Sequence, residues 1–280
     1  MDVPEADNHL ALDGLRPSFN DCRNLEKTVQ DDAATQEMLS MVLEEPERWA
    51  MFLDIDGTLL NLAPTPDAIE VPEALPGQLH RLSNKLGGAL ALVTGRSLAY
   101  ADALFKPFAF PTAGLHGAEI RSAAGMHTVE ATPEFQALKH ALTTEAEHYP
   151  GVLIEDKGAA VAAHYRLAPD YEKILEERMH HYAELAGPNW ALQLGKMVFE
   201  LRPARSSKGD ALERFFQADP FKNRNPITIG DDLTDESMFA IANARGGVSV
   251  RVGAIGAPSC ATSRLSSAAL VRNVIAALAA

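Results

Sequence analysis

From Trp49 onward, short unbroken apolar runs alternate with stretches in which apolar residues recur every three or four positions. The runs Trp49–Ile55 and Gly88–Val93 predict strands buried on both faces. Pro72–Leu86 carries Leu75, Leu79, Leu82 and Leu86 on one side and predicts an amphipathic helix, and Ser97–Phe105 predicts another. Strands and helices in this alternation predict an α/β fold, a parallel sheet with helices on both sides. Phe108–Arg121 reads as extended, with His127–Val129 closing a hairpin on it.

Between about 123 and 200 the pattern changes. A helix over Pro133–Tyr149 precedes strands Val152–Asp156 and Ala160–Arg166. A second helix, Pro169–Ala186, precedes strands Trp190–Leu194 and Met197–Leu201. Lys157-Gly158 and Gly195-Lys196 read as hairpin turns. This is an α+β unit set inside the α/β host. The host pattern then resumes with a helix from Lys208, strand Pro226–Ile229, helix Asp235–Asn243, strand Val248–Val252 and a last helix Leu265–Leu278. The expected division is an N-terminal extension over 1–47, a host over 48–122 and 202–280, and an inserted unit over 123–201.

Charge refines the N-terminal part. The chain has 280 residues, 46% of them apolar, and a net charge of −13. Residues 1–47 hold 12 acidic and 3 basic residues, so most of the excess lies there. Their first thirty positions show no period and read as flexible, with a short helix over Ala33–Glu45. An acidic balance argues against nucleic-acid and anionic-membrane partners, and no apolar run is long enough to span a bilayer. The N-terminus lacks the basic and apolar segments of a secretory signal. Cys22 and Cys260 stand 238 positions apart and read as free thiols of a reducing compartment, the cytoplasm. A monomer is compatible with this pattern.

Four motifs fall where host strands end, the edge at which α/β sheets bind ligands. In DIDGTL, Asp54 and Asp56 can share a divalent cation or divide nucleophilic and acid–base work. A solvated loop with an Asx turn before Gly57 would use the same residues. VTGRS places Thr94, Gly95 and Arg96 at the start of a helix, where a phosphate can be cradled or the helix simply capped. Lys208 opens a helix whose dipole disfavours it, which makes sense if it neutralises an anion. TIGDDLTDE concentrates Asp231, Asp232, Asp235 and Glu236, hard oxygen ligands suited to Mg²⁺. Of these, Asp231 reads as the ligand, Asp232 as its support and Asp235 as a cap or hydrogen-bond partner. G-x-x-x-x-G-K-[ST], G-x-G-x-x-G, G-x-S-x-G and H-E-x-x-H are all absent.

In order and placement the four motifs resemble those of the haloacid dehalogenase superfamily of phosphotransferases, over about residues 48–280. The resemblance implies a Rossmann-like core and an aspartyl-phosphate route. Asp54 would be the nucleophile, Asp56 the acid and then the base, and Thr94 and Lys208 the holders of the phosphoryl oxygens. Mg²⁺ would sit on Asp54, the Asp56 carbonyl and Asp231, with Asp232 beside them. Only 40 residues separate Asp54 from Thr94, whereas 114 separate Thr94 from Lys208. The inserted unit is thus a cap between the second and third motifs, as in the sugar phosphatases and phosphomannomutases of the superfamily.

Three further segments, GLHGAEIR, IEDKGAAVAAHYR and GKMVFELRP, resemble the trehalose-6-phosphate phosphatase family. That likeness implies a small-molecule substrate, trehalose 6-phosphate. It makes Gly95, Arg96, His116, Gly117, Glu119, Glu155, Lys157, Lys196 and Glu200 the candidate substrate-binding set. A charged, solvated hairpin face is the plain alternative for these side chains, and a core histidine is the alternative for His164. Another capped sugar phosphatase acting on sucrose 6-phosphate, a phosphohexomutase and a catalytically silent sugar-phosphate sensor remain open as functions.

Overall fold

Trp49–Leu53 contains no polar side chain, so it can be accommodated only where both faces of a sheet are covered. In the computed structural model, described over residues 31–63, 69–195, 197–204, 206–254 and 258–280, this segment is strand β1, and its last four residues are buried. It pairs in parallel with β2 (Leu90–Val93) on one side and β10 (Asn225–Gly230) on the other. β3 (Thr112–Gly114) continues the parallel sheet beyond β2, and β11 (Val248–Val252) and β12 (Ser263–Leu265) continue it beyond β10. β4 (Glu119–Ser122) and β5 (Gly125–Thr128) add an antiparallel hairpin at the β3 edge. The order across the eight strands is β12-β11-β10-β1-β2-β3-β4-β5.

The helices follow from local chemistry. α1 (Asp32–Ser40) is capped by the Asp31 carboxylate, and α2 (Leu75–Lys85) starts with Pro76 in its first turn and buries Leu75, Leu79 and Leu82. α3 (Leu98–Leu104) is capped by Ser97. Phe52 of β1 meets the rings of Phe215, Phe216 and Phe221 at 5.8, 5.4 and 5.5 Å between centroids. That aromatic cluster locks β1 against the helix that Lys208 opens.

A second sheet lies between β5 and the end of the insertion. Its strands, β6 (Leu153–Asp156), β7 (Val161–His164), β8 (Trp190–Gly195) and β9 (Val198–Pro203), are antiparallel in the order β6-β7-β9-β8. Helices α4 (Pro133–Ala146) and α5 (Glu172–Ala186) bury Phe135, Leu138, Leu142, Leu175 and Met179 with Val161, Phe199 and Leu201 of this sheet, a core separate from that of the host. The rest of the host comprises α6 (Lys208–Phe215), α7 (Glu236–Ala244) and α8 (Ala268–Ala279).

Several expectations shift. The short helix expected over Ala33–Glu45 is present as α1, but the stretch is part of the host rather than an extension: Leu39 and Val42 are buried in the host core, and the Asp32 carboxylate accepts from the Ser266 backbone N–H at 2.7 Å. Residues 1–30 lie outside the described residues. β12 was not expected, and the last helix starts at Ala268, because the Ser267 hydroxyl caps it there. β5 belongs to the large sheet. Cys260 is buried beside Phe239 and is disulfide-bonded, so the expectation of a free thiol fails there. Cys22 lies outside the described residues.

Candidate active site

The parallel strands deliver their carboxyl ends to one edge, and the motifs meet there. Asp54 follows β1 directly and is 4% exposed. Lys208, at the first position of α6, is 3% exposed, and its Nζ donates to Asp54 Oδ1 and to Asp235 Oδ1, each at 2.6 Å. The α6 N-terminus is held by a reciprocal pair in which the Asp210 backbone N–H donates to Ser207 Oγ and Asp210 Oδ2 accepts from the Ser207 backbone N–H. The lysine therefore leaves the helix from a fixed start.

Asp235 is the organiser of the last motif. Its Oδ2 accepts from the backbone N–H groups of Asp231 and Asp232, both at 2.9 Å, while Oδ1 takes Lys208. This bends the chain after β10 so that Asp231 turns back toward Asp54. Carboxylate oxygens of Asp54, Asp231 and Asp235 lie within 4.8 Å of one another. Thr58 Oγ1 donates to Asp231 Oδ1 at 3.3 Å. Gly57 has φ +84°, and a Cβ there would stand 2.1 Å from Asp231 Oδ2, so glycine is required for this approach.

Three carboxylates face one ammonium, and the electrostatics reflect it. Burial raises the Asp54 pKa well above the ordinary range; Lys208 lowers it, and Asp235 and Asp231 raise it further. Asp231 is pushed up to about 6, by burial first and then by Asp235 and Asp232. Burial acts to lower the Lys208 pKa, but Asp235 and Asp54 outweigh it, and the pKa is raised. Asp235 has both oxygens committed to donors, which leaves Asp54 and Asp231 as the pair whose repulsion a cation would relieve. Hard oxygen donors and excess negative charge fit a small divalent ion.

The side chains of Asp56 and Asp232 lie outside this carboxylate cluster; Asp56 is expected at the metal through its backbone carbonyl, on which its side-chain pairing has no bearing. Asp56 turns to Arg96, whose Nε and Nη2 donate to Oδ2 and Oδ1, each at 2.9 Å. Asp232 Oδ1 accepts from the Thr234 N–H at 2.7 Å and Thr234 Oγ1 at 2.6 Å, so its side chain caps the short turn Leu233–Asp235. Thr94, fully buried at the end of β2, presents Oγ1 to the Arg96 N–H at 3.1 Å.

The substrate-binding candidates divide. Leu115, His116 and Gly117 all take positive φ, 48°, 56° and 102°, a strained turn for the two that are not glycine. It seats the His116 ring against Gly95, where a Cβ would lie 2.8 Å from Nε2. His116 Nδ1 is buried without a hydrogen-bond partner. Its pKa falls to about 3, through burial first and then Lys208, Arg202 and Lys157. The turn through Gly117 packs on the start of α6. Glu119 does not join the site, because its Oε2 accepts from the Leu98 N–H at 2.9 Å and thereby caps α3, where the helix N-terminus favours a carboxylate.

On the second sheet, Lys157 Nζ donates to Glu200 Oε2 at 2.9 Å, and Glu155 Oε2 lies 2.9 Å from His164 Nε2 and 4.0 Å from Lys157 Nζ. His164 is thus a partner of Glu155 rather than a core residue. Ala159, in the same hairpin, packs on Leu115 and Ala118 of the host, and Arg96 acts electrostatically on Glu155. The hairpin therefore sits over the turn that holds His116. Lys196 lies outside the described residues. Thr58 stands inside DIDGTL yet was not expected as a partner of Asp231, and Lys139 lies in no motif that would signal it.

A parallel sheet with a nucleophile-type aspartate after its central strand, a buried lysine and an acidic loop define a phosphatase of the haloacid dehalogenase superfamily. The family model for trehalose-phosphatase matches residues 52–269, and the chain belongs to that family. It is 52% identical over 259 residues to a probable trehalose-phosphate phosphatase of Sinorhizobium fredii, covering 92% of this chain and 98% of the relative. It is 43% identical over 221 residues to the trehalose-6-phosphate phosphatase of Escherichia coli K12, covering 77% and 83%. A crystal structure of a trehalose-6-phosphate phosphatase related protein superposes with a TM-score of 0.68 at 25% identity, covering 82% of this chain and 96% of the other. The C-terminal domain of the Candida albicans trehalose-6-phosphate phosphatase, at 21% identity, shares the fold with a TM-score of 0.75, covering 91% and 99%.

Proposed function

We propose that this protein is a Mg²⁺-dependent phosphatase that hydrolyses trehalose 6-phosphate to trehalose and inorganic phosphate. The observation that supports it most is the buried ion pair of Lys208 with Asp54, set beside Asp231 in a chain of the trehalose-phosphatase family. Residues 31–128 and 204–280 act as the catalytic core, which includes β5, and 129–203 as the cap over it.

An oxygen of Asp54 attacks the phosphorus. The bond from phosphorus to the sugar oxygen breaks, and that oxygen keeps the electron pair and takes a proton from Asp56. Lys208 balances the charge on Asp54 and on the phosphoryl oxygens, and Thr94 supplies a hydroxyl at the same strand edge. In the second half, Asp56 takes a proton from water, the water oxygen attacks phosphorus, and the bond to Asp54 breaks to restore the carboxylate. Arg96 fixes where the Asp56 carboxyl sits. Asp54, Asp231 and the backbone carbonyl of Asp56 would hold Mg²⁺, which supplies charge neutralisation for the phosphoryl group. Lys157, Glu200, Glu155 and His164 offer paired donors and acceptors to the sugar hydroxyls, while the unpartnered Nδ1 of His116 awaits one on the core side.

The test is phosphate release from a panel of sugar phosphates with Mg²⁺. Trehalose 6-phosphate is expected to exceed glucose 6-phosphate and sucrose 6-phosphate in kcat/KM by at least about a hundredfold, the scale on which unpaired polar groups reject a wrong substrate. Equal values would overturn the assignment. Asp54→Asn is expected to fold and to lose turnover by orders of magnitude.

A further inference from the structure

Lys139 lies on the face of α4 that carries Phe135, Leu138 and Leu142, and it is 4% exposed. A lysine is rarely buried to this degree unless its charge is matched. Its Nζ donates to Asp156 Oδ1 at 2.6 Å and to the Gly158 carbonyl at 2.8 Å. Asp156 Oδ1 also accepts from the Gly158 N–H at 2.8 Å, and Gly158 has φ +72°. One ammonium and one carboxylate thus close the turn 156–158 from below. Between its two anchors stands Lys157, whose own ammonium points away to Glu200. The Asp156 side chain is 61% exposed, so the turn has little apolar packing to hold it otherwise.

We propose that Lys139 is a positioning residue for substrate recognition, which fixes the β6–β7 turn so that Lys157 is presented to the sugar beside Glu200. The inference rests on the reading of Lys157 and Glu200 as sugar ligands. Lys139 touches no substrate itself. It converts the four-residue connection 157–160 at the tip of a hairpin into a rigid mount, and a mobile Lys157 would lose orientation entropy on each binding event. Ala159, next in the same turn region, packs against Leu115 and Ala118, so the mount also sets how the hairpin rests on the core.

Three enzymes test it: Lys139→Met, Lys157→Ala and the double variant, each assayed on trehalose 6-phosphate with Mg²⁺. Lys139→Met is expected to raise KM about tenfold and to change kcat less than about threefold, the effect of one lost charge-assisted contact. In the Lys157→Ala background, Lys139→Met is expected to raise KM no further, because its action passes through Lys157. Additive effects in the double variant, or an unchanged KM in Lys139→Met, would overturn the proposal. Should Lys139→Met fail to fold, Asp156→Ala removes the same anchor from the exposed side; a rise in KM supports the proposal, and an unchanged KM overturns it. If the wild type releases no phosphate from trehalose 6-phosphate, the functional reading fails first. The cycle is then read on the sugar phosphate of the panel that it hydrolyses best.

Discussion

Arg96 grips Asp56 through two parallel hydrogen bonds, each 2.9 Å long, and its guanidinium lies 4.8 Å from the centre of the Tyr100 ring. A fork-to-fork pair fixes both the position and the plane of a carboxylate, which a lysine cannot do. Under the proposed mechanism Arg96, next to the phosphate cradle, therefore orients the acid, and one of the two bonds opens when Asp56 carries the proton. Arg96→Gln is expected to lower kcat on trehalose 6-phosphate by about tenfold to a hundredfold, within the span of general-acid catalysis. With nitrophenyl phosphate, whose leaving group needs no proton, the loss is expected to be several times smaller. Equal losses on both esters would exclude this role.

The cation site should respond to protons with a defined sign. Asp231 has its pKa raised to about 6, so at pH 5 roughly a tenth of it is ionised and ready to bind a cation. Mg²⁺ is expected to bind about tenfold more weakly at pH 5 than at pH 7.5, measured by titration calorimetry. In EDTA the same group works the other way. Its raised pKa stabilises the fold below the ordinary carboxylate value, and that contribution is lost as pH rises through about 6. Asp231→Asn is expected to remove both dependences.

Gly57 tests how tightly the acidic loop is packed. A methyl group at this position would overlap Asp231 Oδ2 and sit on a backbone with φ +84°. Gly57→Ala is expected to weaken Mg²⁺ binding at least about tenfold and to reduce kcat by about a hundredfold, since small misplacements of reacting groups carry costs of that size. Wild-type metal affinity in this variant would show that Asp231 has room to move.

His116 gives a stability prediction. Its pKa is depressed to about 3 by burial and by the cations around it, so the unfolded chain takes up a proton near pH 6.5 that the folded chain refuses. Stability from this group is present above pH 6.5 and is lost as pH falls toward 3, by up to about 1.4 kcal/mol per unit. Asn tolerates the left-handed backbone at this position. His116→Asn is expected to flatten the fall in denaturant midpoint between pH 6.5 and 4, and an unchanged slope would refute the assignment.

Much of this was legible from residue order. The buried runs around Ala50 and Ala91, the hairpins of the second sheet and the four motifs at strand ends all follow from local pattern, because strand period, helix period and turn chemistry are local properties. Local sequence also placed Asp235 correctly as a hydrogen-bond partner.

The assignment of partners needed the tertiary structure. Asp54, Asp56, Asp231 and Asp232 are alike in one dimension, and only the fold separates Asp54 and Asp231, which face each other, from Asp56, taken by Arg96, and Asp232, which caps a turn. Glu119 shares a motif with His116 yet ends at a helix N-terminus. Lys139 stands in no motif and meets its acceptors 17 and 19 positions away. A charge's role depends on which opposite charges and dipoles reach it through low dielectric, and those neighbours come from distant parts of the chain brought together by packing.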